Sequence, residues 1–254
     1  MHVNGRAAGL SLESHVSTAV HWLEQTEGDV PAEHHWLNAE ETLVMEGLRF
    51  AKRRSDWLLG RWTAKRAVAS CLNLPTDDRA LADVEIRSAP SGVPEVFFPD
   101  QSEGPRISIS HRAGTAMCAI AVHGTRIGCD LEMIEPRSDS FIADYFTATE
   151  QAQVQQAPEQ DRPLLSTLIW SAKESALKAL QEGLRLDTYC VEVRFVNPSR
   201  NEMEECEGPI SLAVAKPARW FALEVLYSQS QVFRGWWSRG DRMVRTVVWS
   251  SCGM

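Results

Sequence analysis

The sequence predicts an α+β protein, a pseudo-twofold pair of similar α+β halves over residues 1–123 and 124–254, each a small antiparallel sheet with packed helices. Two observations predict it. Helical patterns followed by short strand patterns run through once before residue 123 and again after it, although no stretch of sequence repeats. The 254 residues, 44% hydrophobic with nine tryptophans, hold enough apolar material for one large core or two small ones.

Composition narrows the functional classes. A formal net charge of -8 argues against nonspecific affinity for nucleic acid or membrane, while leaving room for a local basic patch. No apolar run reaches membrane-spanning length, and the lead Met1-His2-Val3-Asn4-Gly5 lacks signal-peptide regions, so a cytoplasmic location and a monomer are expected. The six cysteines are scattered without a C-x-x-C pair and read as reduced packing residues. The seven histidines show no zinc spacing.

In order along the chain, residues 18–23 read as a first strand. Asn38 with Glu41 three residues on is a capping arrangement for a helix through Met45, and residues 55–72 carry a longer helical pattern. Residues 84–87 and 95–98 bracket the turn Ser91-Gly92-Val93-Pro94 as a hairpin. A meander follows over 106–110, 116–122 and 126–132, which would put Ser110, His111 and Asp130 in one small sheet. Thr147 and Glu150 form a capping box, and a strong helix spans 164–182 with Gly183 as its stop. Strand patterns recur at 189–196, 210–215, 219–227, 231–237 and 243–249. The tail beyond residue 228 has no assigned role except extra strands for its tryptophans.

The chemistry centres on the strand Arg126-Ile-Gly-Cys-Asp-Leu-Glu132. Alternation sends Asp130 and Glu132 to one face, with Cα atoms about 6.6 Å apart, close enough to share one hard cation. A D-x-E pair is more often the solvated face of an ordinary strand. Here Gly128 shares that face, as if something approached the backbone, and a partner exists on the helix 164–182. There Trp170, Glu174 and Lys178 form one stripe at i, i+4 and i+8, offering a third carboxylate and a cation for a phosphoryl group. The densest basic cluster, Arg49 to Arg66, puts Arg61 and Lys65 on one helix face, where an anion between them would be useful and a solvated basic face is equally plausible.

The segments Gly128-Cys129-Asp130-Leu131-Glu132 and Trp170-Ser171-Ala172-Lys173-Glu174-Ser175-Ala176-Leu177-Lys178 resemble the paired G-x-D-x-E and W-x-x-K-E-x-x-x-K signatures of the Sfp-type 4′-phosphopantetheinyl transferases. Ser108-Ile109-Ser110-His111 and Trp57-Leu58-Leu59-Gly60-Arg61 resemble two further family segments. The resemblance implies an active site between the halves and transfer of the phosphopantetheine arm of coenzyme A to a serine of an apo acyl or peptidyl carrier protein, releasing adenosine 3′,5′-bisphosphate. It implies Mg²⁺ held by Asp130, Glu132 and Glu174, with Glu174, directly or through a water, also the base for the serine. It places Lys178 on the transferring phosphate, and Ser110 and His111 at the nucleotide, with the first half as the nucleotide side. Val93 stands where some members carry a lysine, and the lysines ahead of the first helix are missing. We expect Arg54, Arg61 and Lys65 to supply the lost charge, and Gly128 to clear space for the pyrophosphate or its metal. A catalytically idle binding module on this fold and a metal-dependent nuclease are the competing classes. The intact set of charged residues disfavours the first, and the net charge disfavours the second.

Overall fold

The computed structural model describes residues 20–121, 124–181, 186–195, 205–213, 219–227, 231–240 and 242–251. The chain opens with Val20–Thr26 (β1), Ala39–Gly47 (α1), Ala51–Cys71 (α2) and Asp78–Ala82 (α3). Four strands follow, Glu85–Ser88 (β2), Pro94–Phe97 (β3), Arg106–Arg112 (β4) and Thr115–Ala121 (β5). After residue 124 come Thr125–Met133 (β6), Asp139–Tyr145 (α4), Ala148–Gln156 (α5) and Arg162–Leu180 (α6). The last strands are Val191–Phe195 (β7), Glu205–Cys206 (β8), Ile210–Ser211 (β9), Trp220–Tyr227 (β10), Gln231–Gly240 (β11) and Met243–Ser251 (β12). The fold is α+β, and no described helix is long and apolar enough to cross a membrane.

Four layers stack in the order helix, sheet, sheet, helix. Ala64, Ala67 and Val68 of α2 pack on Leu23, Ile107, Cys118 and Ile120 of a first sheet ordered β4-β5-β1-β9. The opposite face of that sheet, through Val20, Trp22, Met117 and Ala119, meets Ile127, Cys129, Trp220 and Val247 of a second sheet ordered β6-β12-β11-β10-β7. Beyond it, Leu168, Ile169, Ala172, Ala176 and Leu177 of α6 cover Val193, Leu223, Val225, Phe233 and Val248. Alternation along each strand thus serves two cores at once.

Two expectations are corrected here. β6 does not continue the β4–β5 meander: it leaves the first sheet and pairs with β12, Asp130 opposite Thr246 and Gly128 opposite Val248. The tail supplies the extra strands expected of its tryptophans, β11 and β12, and β12 lies between β6 and β11 in the second sheet. Helix α6 stops at Leu180, capped by Gln181, which takes the left-handed conformation (φ 64°) and whose N–H donates to the carbonyls of Leu177 and Lys178. The expected stop Gly183, like Thr18 and Ala19 of the expected first strand, lies outside the described residues.

A structural repeat underlies the two helix–sheet layers. Glu41, the N3 residue of the α1 capping box, is buried against Lys65 of α2 (2.6 Å); Lys65 Nζ donates to the carbonyls of Leu81 and Val84, and Glu41 Oε1 accepts from Ile86 N. Glu150, the N3 residue of the α5 capping box, is buried against Lys173 of α6 (2.8 Å); Lys173 Nζ donates to Thr188 and Val191, and Glu150 Oε1 accepts from Val193 N. Burial pulls both lysines below their ordinary pKa against the opposing pull of their glutamates. Lys65 is thus fully enclosed, and the expectation that it faces a nucleotide phosphate is wrong: its three ammonium protons are spent inside the fold. Removing one member of such a pair strands a buried charge. Lys65→Met is expected to lower stability by about 3–5 kcal/mol, read from the urea midpoint, with Glu41→Met/Lys65→Met regaining part of the loss.

Candidate active site

The site is assembled on the seam where β4 of the first sheet runs beside β6 of the second. The backbone N–H groups of Cys129 and Leu131, on the edge of β6 away from β12, donate to Ser108 Oγ (3.0 Å) and Ser110 Oγ (3.3 Å). Serines two apart on β4 therefore match the two-residue spacing of outward N–H groups on β6 and join the sheets without a main-chain ladder. Ser110 Oγ also donates to Asp130 Oδ1 (2.9 Å). Its one proton is committed, so Ser110 positions Asp130 instead of donating to a nucleotide, as had been expected.

Helix α6 lies across β6 and carries the other half of the site. Gly128 permits this: a Cβ there would stand 1.8 Å from Ser175 O and 2.8 Å from Ala179 N. The expected clearance for pyrophosphate is in fact clearance for the helix backbone. One turn on, Lys178 Nζ donates to Asp130 Oδ1 (2.8 Å) and to Cys129 O (3.0 Å), leaving one N–H uncommitted among the described groups. Desolvation lowers the Lys178 pKa, but Asp130, Cys129 and Glu174 outweigh it and hold the ammonium above its ordinary value. Two turns earlier, the Trp170 indole N–H donates to Glu132 Oε1 (3.2 Å).

Glu174 sits on the same stripe, midway between these two contacts, and so faces the gap between Asp130 and Glu132. Its Oε1 and Asp130 Oδ2 are buried with no hydrogen-bond partner. Burial, then the Asp130 charge, push the Glu174 pKa up to about 7, with Lys178 opposing and Glu132 adding. Glu132 is raised by burial and Asp130 against Arg137 and Arg112. Among the described residues no three His, Cys, Asp or Glu side chains converge as a ready metal cage. Two orphaned oxygens on carboxylates that feel each other's charge nevertheless are donors a hard cation takes, and Glu132 adds to that field with its oxygens turned to Trp170 and Arg137.

Two hollows border this centre. One, of about 440 Å³, lies between the β2–β3 turn with β4 and the start of β6 with the end of α6; Val93, Arg106, Ser108, Arg126 and Lys178 line it. The other, of about 510 Å³, is walled by Phe50, Lys52, Arg53, Trp57 and His111 at the start of α2. His111 faces that second hollow, its pKa lowered by partial burial, which Asp56 opposes and Lys178 reinforces. Arg61 stacks over Trp57 (5.1 Å) and donates to Ser88 Oγ (3.2 Å), and Arg54 donates to Leu48 O (2.7 Å). Sequence reasoning missed Arg106 and Arg126, which restore positive charge beside Val93. It also missed Arg137 and the bond from Trp170. The arginines had no local signal, since only the register of β4 against β6 brings them together; Trp170 did, by sharing the stripe of Glu174.

A two-sheet α+β fold with a carboxylate–lysine centre on the seam is the class these features define. A family model for the 4′-phosphopantetheinyl transferase superfamily matches residues 126–224. Enterobactin synthase component D from Salmonella austin is 30% identical over 187 residues, 69% of each chain. The protein of the same name from Salmonella typhi is 31% identical over 152 residues, 59% of this chain and 57% of that one. Of solved structures, a holo-(acyl-carrier-protein) synthase from Bacillus anthracis in complex with CoA is similar at 20% identity and a TM-score of 0.35, covering 41% of this chain and 94% of that one. The chain belongs to the 4′-phosphopantetheinyl transferase superfamily. It spans only 57% of the length of the Salmonella typhi relative.

Proposed function

We propose that the chain transfers the 4′-phosphopantetheine arm of coenzyme A to a serine hydroxyl of an apo carrier protein and releases adenosine 3′,5′-bisphosphate. Family membership supports the reaction class, and the observation that carries the reading is Glu174: a carboxylate with an orphaned oxygen and a pKa near 7, flanked by Asp130 and Lys178. A general base works best with its pKa near the operating pH. On this reading Glu174 takes the serine proton as the serine oxygen bonds to the pantetheine-side phosphorus. The bond from that phosphorus to the bridging oxygen breaks, and its electron pair leaves with the adenosine bisphosphate. Lys178 directs its uncommitted N–H to the phosphate that accumulates charge, and Asp130, fixed by Ser110 and Lys178, holds the lysine in place.

Asp130, Glu174 and, after turning, Glu132 would hold Mg²⁺, which when bound supplies Lewis-acid neutralisation of pyrophosphate charge. Residues 1–123 would form the nucleotide side, with Arg54, Arg61 and His111 facing coenzyme A, and residues 124–254 the catalytic side. Lys178 alone does not replace the metal, because it is paired with Asp130 and the carboxylates outnumber it. Incubation with coenzyme A, Mg²⁺ and an apo carrier protein is expected to add the phosphopantetheine mass to the carrier in a mass spectrum, and chelation to suppress the gain at least about 100-fold. Binding of coenzyme A without any mass gain on acyl and peptidyl carriers alike would identify an idle binding module instead.

A further inference from the structure

Both oxygens of Glu132 are engaged: Oε1 by the Trp170 indole, and Oε2 by Arg137 Nη2 at 3.4 Å with Arg112 Nε at 3.7 Å. Arg137 is itself held, its guanidinium 4.9 Å over the Phe141 ring, which packs edge-on against Trp170 at 5.0 Å. Trp170, Phe141 and Arg137 thus close around the Glu132 carboxylate. Arg137 is 17% exposed and Glu132 16%, so their attraction is only partly screened. Arg112 is looser, 45% exposed and shared with Glu135.

We propose that Arg137 is a positioning residue that holds Glu132 away from Asp130 Oδ2 and Glu174 Oε1, so that the site loads a divalent cation by exchanging a guanidinium for the metal on one carboxylate. The inference rests on the cation reading of this site. Three carboxylates share the centre with the Lys178 ammonium, and the guanidinium supplies the countercharge that a metal would otherwise bring. Trp170 sets the direction from which Glu132 turns.

The test is Mn²⁺ binding to the full chain without coenzyme A, followed by the loss of the free-ion electron paramagnetic resonance signal. Arg137→Gln is expected to bind Mn²⁺ about threefold to tenfold more tightly than the unaltered chain, and Arg137→Lys to stay within about twofold. Trp170→Phe, which keeps the ring packing and frees Oε1, should tighten binding in the same direction, and serves if Arg137→Gln fails to fold. In a Glu132→Gln background the Arg137→Gln gain should vanish, a coupling that general loosening of the fold would not produce. Unchanged or weaker binding in Arg137→Gln, or a gain that survives in the Glu132→Gln background, overturns the exchange while leaving the cation site standing. Absence of Mn²⁺ binding in every form removes the cation reading and the proposal with it.

Discussion

Glu174→Gln is expected to reduce phosphopantetheine transfer by about 10³-fold or more while making the cation-free protein more stable at neutral pH. The first effect combines loss of the base, typically 10²–10⁴-fold, with loss of one anionic oxygen for a cation. The second follows from the raised pKa. Glu174 titrates at about 7 in the fold and at about 4.3 in an unfolded chain, so between those values the folded state holds a proton that the unfolded state has released. Stability contributed by this group is therefore fully present below about pH 4.3 and is lost as pH rises through 7. The neutral glutamine escapes that loss. Unfolding by urea at pH 5 and pH 8 should show the variant gaining on the unaltered chain by up to about 3 kcal/mol at the higher pH. A variant that keeps its transfer rate, or a stability gap independent of pH, would exclude Glu174 from this role.

The candidate site residues were legible because they obey local periods. Asp130 and Glu132 are two apart on a strand, Trp170, Glu174 and Lys178 four apart on a helix, and those spacings need no tertiary knowledge. What failed was non-local. The turn sequence His123-Gly124-Thr125 makes 116–122 and 126–132 read as a hairpin, yet the partner of β6 is β12, at the far end of the chain. Lys65 looked like a twin of Arg61 because both lie on one helix face; its true partner, Glu41, belongs to the preceding helix and declares itself only by burial. A signal was present, for Trp62 and Lys65 repeat the W-x-x-K of Trp170 and Lys173, and the capping boxes of Glu41 and Glu150 repeat ahead of them. Gly128 was recognised as a place of close approach, but the approaching group was unknowable before α6 was laid on the sheet.

That close approach gives Gly128→Ala a large expected effect on folding and on the site together. The added methyl would meet Ser175 O, Ser175 C and Ala179 N, all backbone atoms of α6, the nearest at 1.8 Å. No side chain can rotate away to relieve it, so the helix must lift from β6 by more than an ångström. Such overpacking costs about 3 kcal/mol or more when backbone must move. The same displacement carries Trp170, Glu174 and Lys178 off Glu132 and Asp130, so Mn²⁺ binding and transfer should fall together with the urea midpoint. Gly47→Ala is the matching control: it lies in the last turn of α1 with nothing within 4 Å of the added carbon, and should leave stability unchanged or raise it by about 0.5–1 kcal/mol. Equal midpoints for the two alanine variants would show that α6 does not rest on Gly128, and the seam that aligns the carboxylates with Lys178 would then need another explanation.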